Sequence, residues 1–196
     1  MYMDAQKLLA QLHGLKTVFD EKESELTALD REIGDGDHGV NMKRGFNAVD
    51  EKVSEGSTKK ILKQTGMTLM SSIGGASGPL YGFSFVKMSD AANDEIDADN
   101  LAEMLDIFTQ TVAEKGKVEG GEKTMYDVIS KSADVLRETG GLKMDDVQKL
   151  ADDTEDMIAT KGRAAYFKEK SKGTVDPGAQ SAVYIIHALG EGVDNG

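Results

Sequence analysis

The feature that most constrains the fold is a spacing of three or four residues between apolar side chains, which recurs along nearly the whole chain. Three clear stripes of this kind are Leu8, Leu12, Leu15 and Phe19; Met42, Phe46, Val49 and Val53; and Leu101, Leu105, Phe108 and Val112. This spacing places apolar residues on one face of a helix. Similar patterns predict further helices near 58–72, 78–91, 125–139, 144–161 and 179–190. No segment shows the sustained alternation of a strand, so we expect an all-α fold of eight helices.

Short, glycine-rich breaks separate the predicted helices. They lie at 34–39, 74–79, 116–124, 140–141 and 172–178. The chain contains only two prolines, and no break is long enough to act as a linker between domains. A length of 196 residues is enough to bury roughly 70% of the surface that the unfolded chain exposes. We therefore expect residues 1–196 to form one antiparallel helical bundle.

The charge of the chain limits the ligands it can bind. Its 35 acidic side chains outnumber 23 basic ones, which gives a net charge of −12 and disfavours nucleic-acid binding. An anionic ligand would need a local cation, a helix N-terminus or a few basic residues. The chain has no cysteine and therefore no thiolate metal site. Without a signal-peptide pattern or an apolar run of about 18 residues, we expect a cytoplasmic protein that does not bind membranes.

Three aspartates in one glycine-rich turn give the strongest chemical signal. Asp30, Asp35 and Asp37 lie just before a predicted helix, and the last two alternate with glycines. Clustered carboxylates repel one another unless a cation neutralises them, and oxygen ligands suit magnesium or calcium. Magnesium often takes phosphate oxygens for its remaining positions, which leaves room for a nucleotide. The alternative is that these carboxylates only cap the next helix and shape a solvated turn.

Familiar metal and phosphate motifs do not account for this turn. A calcium-binding loop beginning at Asp35 would place Gly39 at its fifth position and Phe46 at its twelfth, where ligands are required. The glycines at 34, 36 and 39 match G-x-G-x-x-G, but no strand precedes them. A Walker-type phosphate loop is also absent.

Other segments have residue types suited to phosphate or a nucleotide base. The glycine-rich segment 74–79 opens a helix, where free backbone N–H groups can bind phosphate. Met125 follows a second glycine-rich segment and could contact a base or pack in the core. Arg163 begins a basic stretch and could clamp phosphate, whereas Lys168 and Lys170 suit a solvated face. His38 could reach a phosphate oxygen or an edge of the nucleotide, or could be an ordinary polar residue near a helix cap.

Taken in order, these segments resemble a known family. The matching segments are 30–39, 41–42, 44–46, 65–67, 74–80, 123–125, 161–164 and 176–179. Together they are similar to the nucleotide-binding L subunits of dihydroxyacetone kinases, and the resemblance covers essentially the whole chain. It implies an eight-helix antiparallel barrel with the nucleotide at one rim, which agrees with the helix count above.

The resemblance also implies a set of site residues. Asp30, Asp35 and Asp37 would bind two Mg²⁺ ions, and Arg163 would add positive charge near the phosphates. The residues expected to surround ADP or ATP are His38, Gly39, Val40, Asn41, Ala76, Ser77, Gly116, Met125, Arg163, Asp176, Pro177 and Gly178.

The working form implied is the bacterial, phosphotransferase-dependent one. ADP would stay bound, and a partner subunit with phosphohistidine would rephosphorylate it. The resulting ATP would transfer its γ-phosphoryl to dihydroxyacetone held covalently on a substrate-binding subunit. Two alternatives remain open: a related kinase domain for another acceptor, and a nucleotide-loaded signalling module that binds a transcription regulator.

Overall fold

Helices form almost all of the regular structure in the computed structural model, which describes residues 1–194. The α-helices are α1 (Ala5–Ile33), α2 (His38–Lys52), α3 (Thr58–Ser72), α4 (Ser77–Met88), α5 (Ala98–Gly116), α6 (Tyr126–Thr139), α7 (Met144–Asp152) and α8 (Pro177–Val193). A 3-10 segment covers Arg163–Ser171. Within residues 1–194 the only β-type pairing is a single bridge between Met3 and Ile96. The predicted all-α fold of eight α-helices is confirmed.

Short polar side chains determine where several helices begin. Asp4, Ser57, Asp97 and Asp176 precede α1, α3, α5 and α8, and each accepts a hydrogen bond from a backbone N–H in the first turn. Such caps satisfy donors that have no partner within the helix. Helix α6 ends at Gly140, whose φ of 78° lies in the left-handed region that suits glycine. Half of the eight α-helices therefore begin at a capping residue that is recognisable in the sequence.

The eight helices pack in chain order and close into a barrel. Each helix contacts the next one, and α8 returns to pack against α1. Because the connections are short, neighbouring helices run in opposite directions. Helix α8 also contacts α2, α5 and α6, and nearly all of its side chains are buried. A helix that is apolar on all sides belongs in the interior, and α8 shows this behaviour.

The core contains the apolar stripes that the sequence predicted. All residues of the three stripes are at most 2% exposed. The rings of Phe19 and Phe46 are stacked with centroids 4.9 Å apart, which joins α1 to α2. Phe108 on α5 makes edge contacts with Tyr81 and Phe85 on α4. None of the helices within residues 1–194 combines the length and the apolar character needed to cross a membrane.

The prediction of one helix over 144–161 was wrong, because α7 ends at Asp152. The Thr154 hydroxyl donates to the carbonyl of Ala151 at 2.6 Å, and the Lys123 ammonium binds the carbonyls of Thr154 and Glu155. The carbonyl of Thr154 also accepts from the N–H of Met157, three residues on, and that of Glu155 accepts from the distant N–H of Gly173, so the ladder of bonds four residues apart does not continue. The four other helices predicted by range differ from the observed bounds by at most three residues.

Candidate functional site

Four connections between helices surround a cavity at one end of the barrel. Because successive helices alternate in direction, α2, α4, α6 and α8 all begin at this end. Residues from these connections line a cavity of about 760 Å³. Helix N-termini carry unpaired N–H groups and a partial positive charge, so they favour anionic ligands. The starts of α4 and α6 have no side-chain cap, so their N–H groups are the ones available to an anion.

The acidic turn contributes a cluster of three carboxylates to this cavity. One oxygen from each of Asp30, Asp35 and Asp37 lies within 4.8 Å of the other two. Two oxygens bound to one Mg²⁺ lie at most about 4.2 Å apart, since Mg–O distances are about 2.1 Å. The spacing and the hard oxygen donors therefore fit one or two divalent cations after small adjustments. The Asp30 carboxylate also accepts from the backbone N–H of His38 at 3.0 Å, so it caps α2 as well.

The electrostatics of the cluster show the repulsion that a cation would relieve. Burial raises the pKa of Asp37, and the hydrogen bond and charge of Asp35 raise it further. The hydrogen bond from Asp37 lowers the pKa of Asp35, and the positive charge of Arg163 lowers it too. The pKa values of the two carboxyl groups are therefore driven apart, as expected for close like charges. Helix capping alone requires only one of the three carboxylates, so it does not explain Asp35 and Asp37.

Arg163 covers the acidic turn from the 3-10 segment. Its Nη1 lies 2.9 Å from Oδ2 of Asp35, and its side chain is 73% exposed. An exposed guanidinium can exchange a carboxylate for a phosphate oxygen at little cost, because both accept the same planar pattern of donors. Arg163 thus lies at the edge of the carboxylate cluster, and its role beside the phosphates stays a prediction.

His38 is a neutral, buried member of the cavity wall. Its Nε2 lies 2.9 Å from the Ser181 hydroxyl, which also contacts the Tyr81 hydroxyl at 3.2 Å. Burial lowers the pKa of His38 to about 4, although Asp30 and Asp35 oppose the shift. At neutral pH the ring carries no positive charge. It can offer a hydrogen bond to a ligand but cannot neutralise a phosphate.

The predicted nucleotide-binding run at 38–41 divides between two faces of α2. His38 and Asn41 line the cavity, whereas Gly39 and Val40 are absent from its lining. Successive helical residues point about 100° apart, so only residues three or four apart share a face. Gly39 packs against α1, where an added Cβ would lie 2.2 Å from the Glu23 carbonyl oxygen. Val40 is 44% exposed on the outer surface.

The other residues predicted to bind nucleotide come together in the cavity. They are Ala76, Ser77, Gly116, Met125, Arg163, Asp176, Pro177 and Gly178. An apolar wall that the sequence analysis missed lies beside them, formed by Leu80 and Phe83 of α4, Val112 of α5, and Val118. Such a wall suits a flat ring system. Its members looked like ordinary helix residues in the sequence, and only the approach of α4 to α5 brings them together.

Lys123 is the most consequential residue that sequence reasoning missed. Although a lysine in a glycine-rich segment normally suggests a solvated side chain, Lys123 is only 2% exposed. Its ammonium donates to the carbonyls of Thr154 at 2.6 Å, Glu155 at 3.3 Å and Thr174. Lys123 therefore ties the α5–α6 connection to both ends of the segment between α7 and α8.

Asp176 combines a structural role with an unusual protonation equilibrium. Its carboxylate accepts from the backbone N–H of Ala179 at 2.9 Å and caps α8. Burial raises the pKa of Asp176 to about 7, although the bond from Ala179 and the charge of Lys123 oppose the change. A carboxyl group that titrates near neutral pH, next to a cavity, is typical of functional sites.

Comparison with known proteins identifies the family of the chain. The DAK2 domain model matches residues 32–191. A PEP-dependent dihydroxyacetone kinase 1, ADP-binding subunit DhaL, of Listeria innocua is 39% identical over 193 residues, covering 96% of this chain and 97% of that protein. The corresponding subunit of Escherichia coli is 40% identical over 187 residues, covering 88% and 89% respectively.

A solved structure shows the same fold. The dihydroxyacetone kinase of C. freundii, in complex with AMP-PNP and Mg²⁺, superposes with a TM-score of 0.70 at 20% identity. The match covers 97% of this chain and 34% of that one, so the chain spans about a third of that kinase's length. At this identity the likeness shows the fold alone. The family model and the relatives of matching length together show that the chain belongs to the DAK2 domain family, among the DhaL subunits of PEP-dependent dihydroxyacetone kinases.

Proposed function

We propose that this chain is the ADP-binding subunit of a PEP-dependent dihydroxyacetone kinase and that the nucleotide occupies the cavity at the end of the barrel. The observation that carries the proposal is the meeting of three carboxylates with four helix N-termini around one cavity of about 760 Å³. The names of the relatives and the AMP-PNP and Mg²⁺ bound to the C. freundii enzyme support the same ligand.

The polar half of the cavity suits the phosphates. Asp30, Asp35 and Asp37 would hold two Mg²⁺ ions, which neutralise charge on the phosphoryl oxygens when bound. Ala76 and Ser77 line the same cavity where α4 begins, and the backbone N–H groups of a first helical turn can donate to phosphate oxygens. Arg163 can turn from Asp35 to a phosphate and add a positive charge beside the transferring group.

The apolar half of the cavity suits the base. Leu80 and Phe83 on α4 face Val112 on α5, and Met125 closes the wall from the start of α6. A purine ring would bury its faces against these side chains, and the unbranched thioether of Met125 adapts to a flat ring. Gly116 lies at this wall, where an added Cβ would make ordinary van der Waals contact with Leu80 and Val118 at 3.5 Å.

The reaction would divide between subunits. A phosphohistidine partner transfers its phosphoryl group to a terminal β-phosphate oxygen of ADP as the N–P bond breaks. A hydroxyl of dihydroxyacetone, held on the substrate-binding subunit, then attacks the γ-phosphorus as the bond to the bridging oxygen breaks. Of the described residues, His38 is the one histidine that lines the cavity, and its Nε2 is paired with Ser181. We assign the base that takes the hydroxyl proton to the substrate-binding subunit, which holds that hydroxyl.

The test is nucleotide retention in the presence and absence of metal. Purified wild-type protein should release close to one ADP per chain on denaturation, and EDTA during gel filtration should remove it. Asp35→Asn removes one ligand charge and should abolish retention while the far-UV circular dichroism stays the same. Asp94→Asn is the matched control, because Asp94 is exposed in the α4–α5 connection at the opposite end of the barrel. Retention of ADP by Asp35→Asn would contradict the metal assignment.

A second measurement tests the division of labour. The isolated chain, loaded with ATP and Mg²⁺, should not phosphorylate free dihydroxyacetone. Addition of the substrate-binding subunit should start the transfer. Turnover by the isolated chain would show that the acceptor site lies on this polypeptide and would contradict the proposal.

A further inference from the structure

Two adjacent aromatic side chains on the 3-10 segment are exposed beside the carboxylate cluster. Tyr166 is 85% exposed and Phe167 is 36% exposed. By contrast, the rings of Phe19, Phe46 and Phe85 are completely buried. An exposed pair of large aromatic residues marks a contact surface more often than a solvated face, since aromatic anchors dominate protein interfaces.

The aromatic pair borders a groove that reaches the proposed phosphate end of the cavity. This groove, of about 450 Å³, is lined by Gly34, Asp35, Arg163, Tyr166 and Phe167. Asp35 belongs both to this groove and to the carboxylate cluster. A molecule lying on Tyr166 and Phe167 would therefore be next to the terminal phosphoryl group of a bound nucleotide.

The same segment carries a local positive charge on an acidic protein. Residues 161–172 contain one acidic side chain, that of Glu169, and five basic ones. The basic residues are Lys161, Arg163, Lys168, Lys170 and Lys172. All of these cations except Lys161 are exposed. The net charge of the local segment is thus +4, whereas the chain as a whole carries −12. This contrast favours a partner with an acidic rim around an apolar patch.

We propose that Tyr166, Phe167 and the lysines at 168 and 170 form the docking surface for the subunit that presents the phosphoryl acceptor. This inference rests on the proposed function. Transfer to an acceptor held on another protein requires an interface that excludes water around the reacting groups, because water would compete for the phosphoryl group. The aromatic pair supplies apolar contact beside Asp35 and Arg163, and the lysines orient the approach of an acidic partner.

The first test removes the aromatic contacts. The double variant Tyr166→Ala/Phe167→Ala, loaded with ATP and Mg²⁺, is mixed with increasing concentrations of the substrate-binding subunit carrying dihydroxyacetone. The KM for that subunit should rise at least about tenfold, as expected for the loss of interface anchors, while kcat stays within about twofold. Tyr2→Ala is the matched control, because Tyr2 is 52% exposed and precedes α1 at the opposite end of the barrel. It should leave KM unchanged.

The second test reverses the local charge. Lys168→Glu/Lys170→Glu should raise the KM for the substrate-binding subunit at low salt, and the effect should shrink at high salt because the ions screen it. The control is Lys59→Glu/Lys63→Glu, a pair of exposed lysines one turn apart near the start of α3. An equal change in the control pair would show a general charge effect and would overturn the docking assignment.

Two further measurements separate the possible failures. The Kd for ADP, measured by calorimetry in Mg²⁺, should be the same for both docking variants and wild type. Wild-type protein that binds no ADP would overturn the proposed function itself. Normal ADP binding with an unchanged KM for the aromatic variant would overturn the docking surface alone. Slower rephosphorylation by the phosphohistidine partner, with normal transfer to the acceptor, would assign the surface to the donor and also overturn the proposal.

Discussion

Replacement of Lys123 by methionine tests how the wall of the cavity is held in place. The ammonium is buried and binds the carbonyls of Thr154, Glu155 and Thr174, which come from both ends of the segment that carries Arg163. Methionine has similar length and no charge, so it fills the space but donates no hydrogen bond. The change leaves these three carbonyls without their lysine partner.

The magnitude follows from the number of bonds lost. The carbonyls of Thr154 and Glu155 keep hydrogen bonds from the backbone N–H groups of Met157 and Gly173, so the change removes three bonds to a charged donor without leaving every acceptor unpartnered. A hydrogen bond to a charged group contributes about 1.5–3 kcal/mol. Because the buried ammonium also gives up its hydration on folding, we expect a net loss of roughly 3 kcal/mol and not the full sum of the three bonds. For a protein of this length, about 1 kcal/mol shifts Tm by about 2–4 °C. We therefore expect Tm to fall by roughly 6–12 °C.

The assay compares two lysines of similar backbone conformation. Urea unfolding and thermal melts, followed by circular dichroism, are measured for Lys123→Met and for Lys117→Met. Both positions have positive φ, 63° and 52°, but Lys117 is exposed. The control removes the effect of placing methionine in the left-handed region. A loss below about 1 kcal/mol for Lys123→Met, or an equal loss at Lys117, would refute the reasoning.

Three other predictions address protonation, packing and capping. Burial raises the pKa of Asp176 from 3.8 to about 7, so the folded protein without ligand holds a proton that the unfolded chain has lost in this range. The stability of the wild-type protein should therefore fall as pH rises from about 4 to about 7. Asp176→Asn should flatten that pH dependence and stabilise the protein at pH 8 by up to roughly 4 kcal/mol in urea titrations. Gly39→Ala should lower Tm, because the added Cβ would lie 2.2 Å from the Glu23 carbonyl oxygen. The control, Gly14→Ala, has open space at the Cβ position and should raise stability by about 0.5–1 kcal/mol. Equal effects of the two changes would contradict this explanation. Asp127→Ala should cost about 1–2 kcal/mol in urea unfolding, because its carboxylate accepts two backbone N–H groups of the α5–α6 connection, and an unchanged midpoint would argue against that role.

The positions of the helices could be predicted well because the signals are local. The apolar stripes lie on the buried faces, and Asp176 with Pro177 starts α8 as a cap and first-turn proline should. The error at α7 shows the limit of this approach. The apolar spacing continues past Ala151, but the carbonyls of Thr154 and Glu155 turn to the ammonium of Lys123, about thirty residues away in the chain.

The candidate site could be predicted only in part. Asp30, Asp35 and Asp37 lie within eight residues of one another, so the chain itself brings their carboxylates together. The apolar wall gave no such signal, since Phe83 and Val112 become neighbours in the cavity only when α4 packs against α5. His38 was predicted as a ligand contact, but its neutral state depends on burial beside Ser181, which is 143 residues away.

The sequence by itself determined the helical class, the starts of several helices and the acidic turn, because each depends on residues within one or two turns of each other. The tertiary structure decided which ends of the helices meet, which lysine is buried and which carboxyl titrates near neutral pH. The physical reason is that burial and electrostatic environment depend on groups far apart in the chain. A side chain's hydration, and therefore its charge and hydrogen bonds, is established only when the barrel closes with α8 against α1.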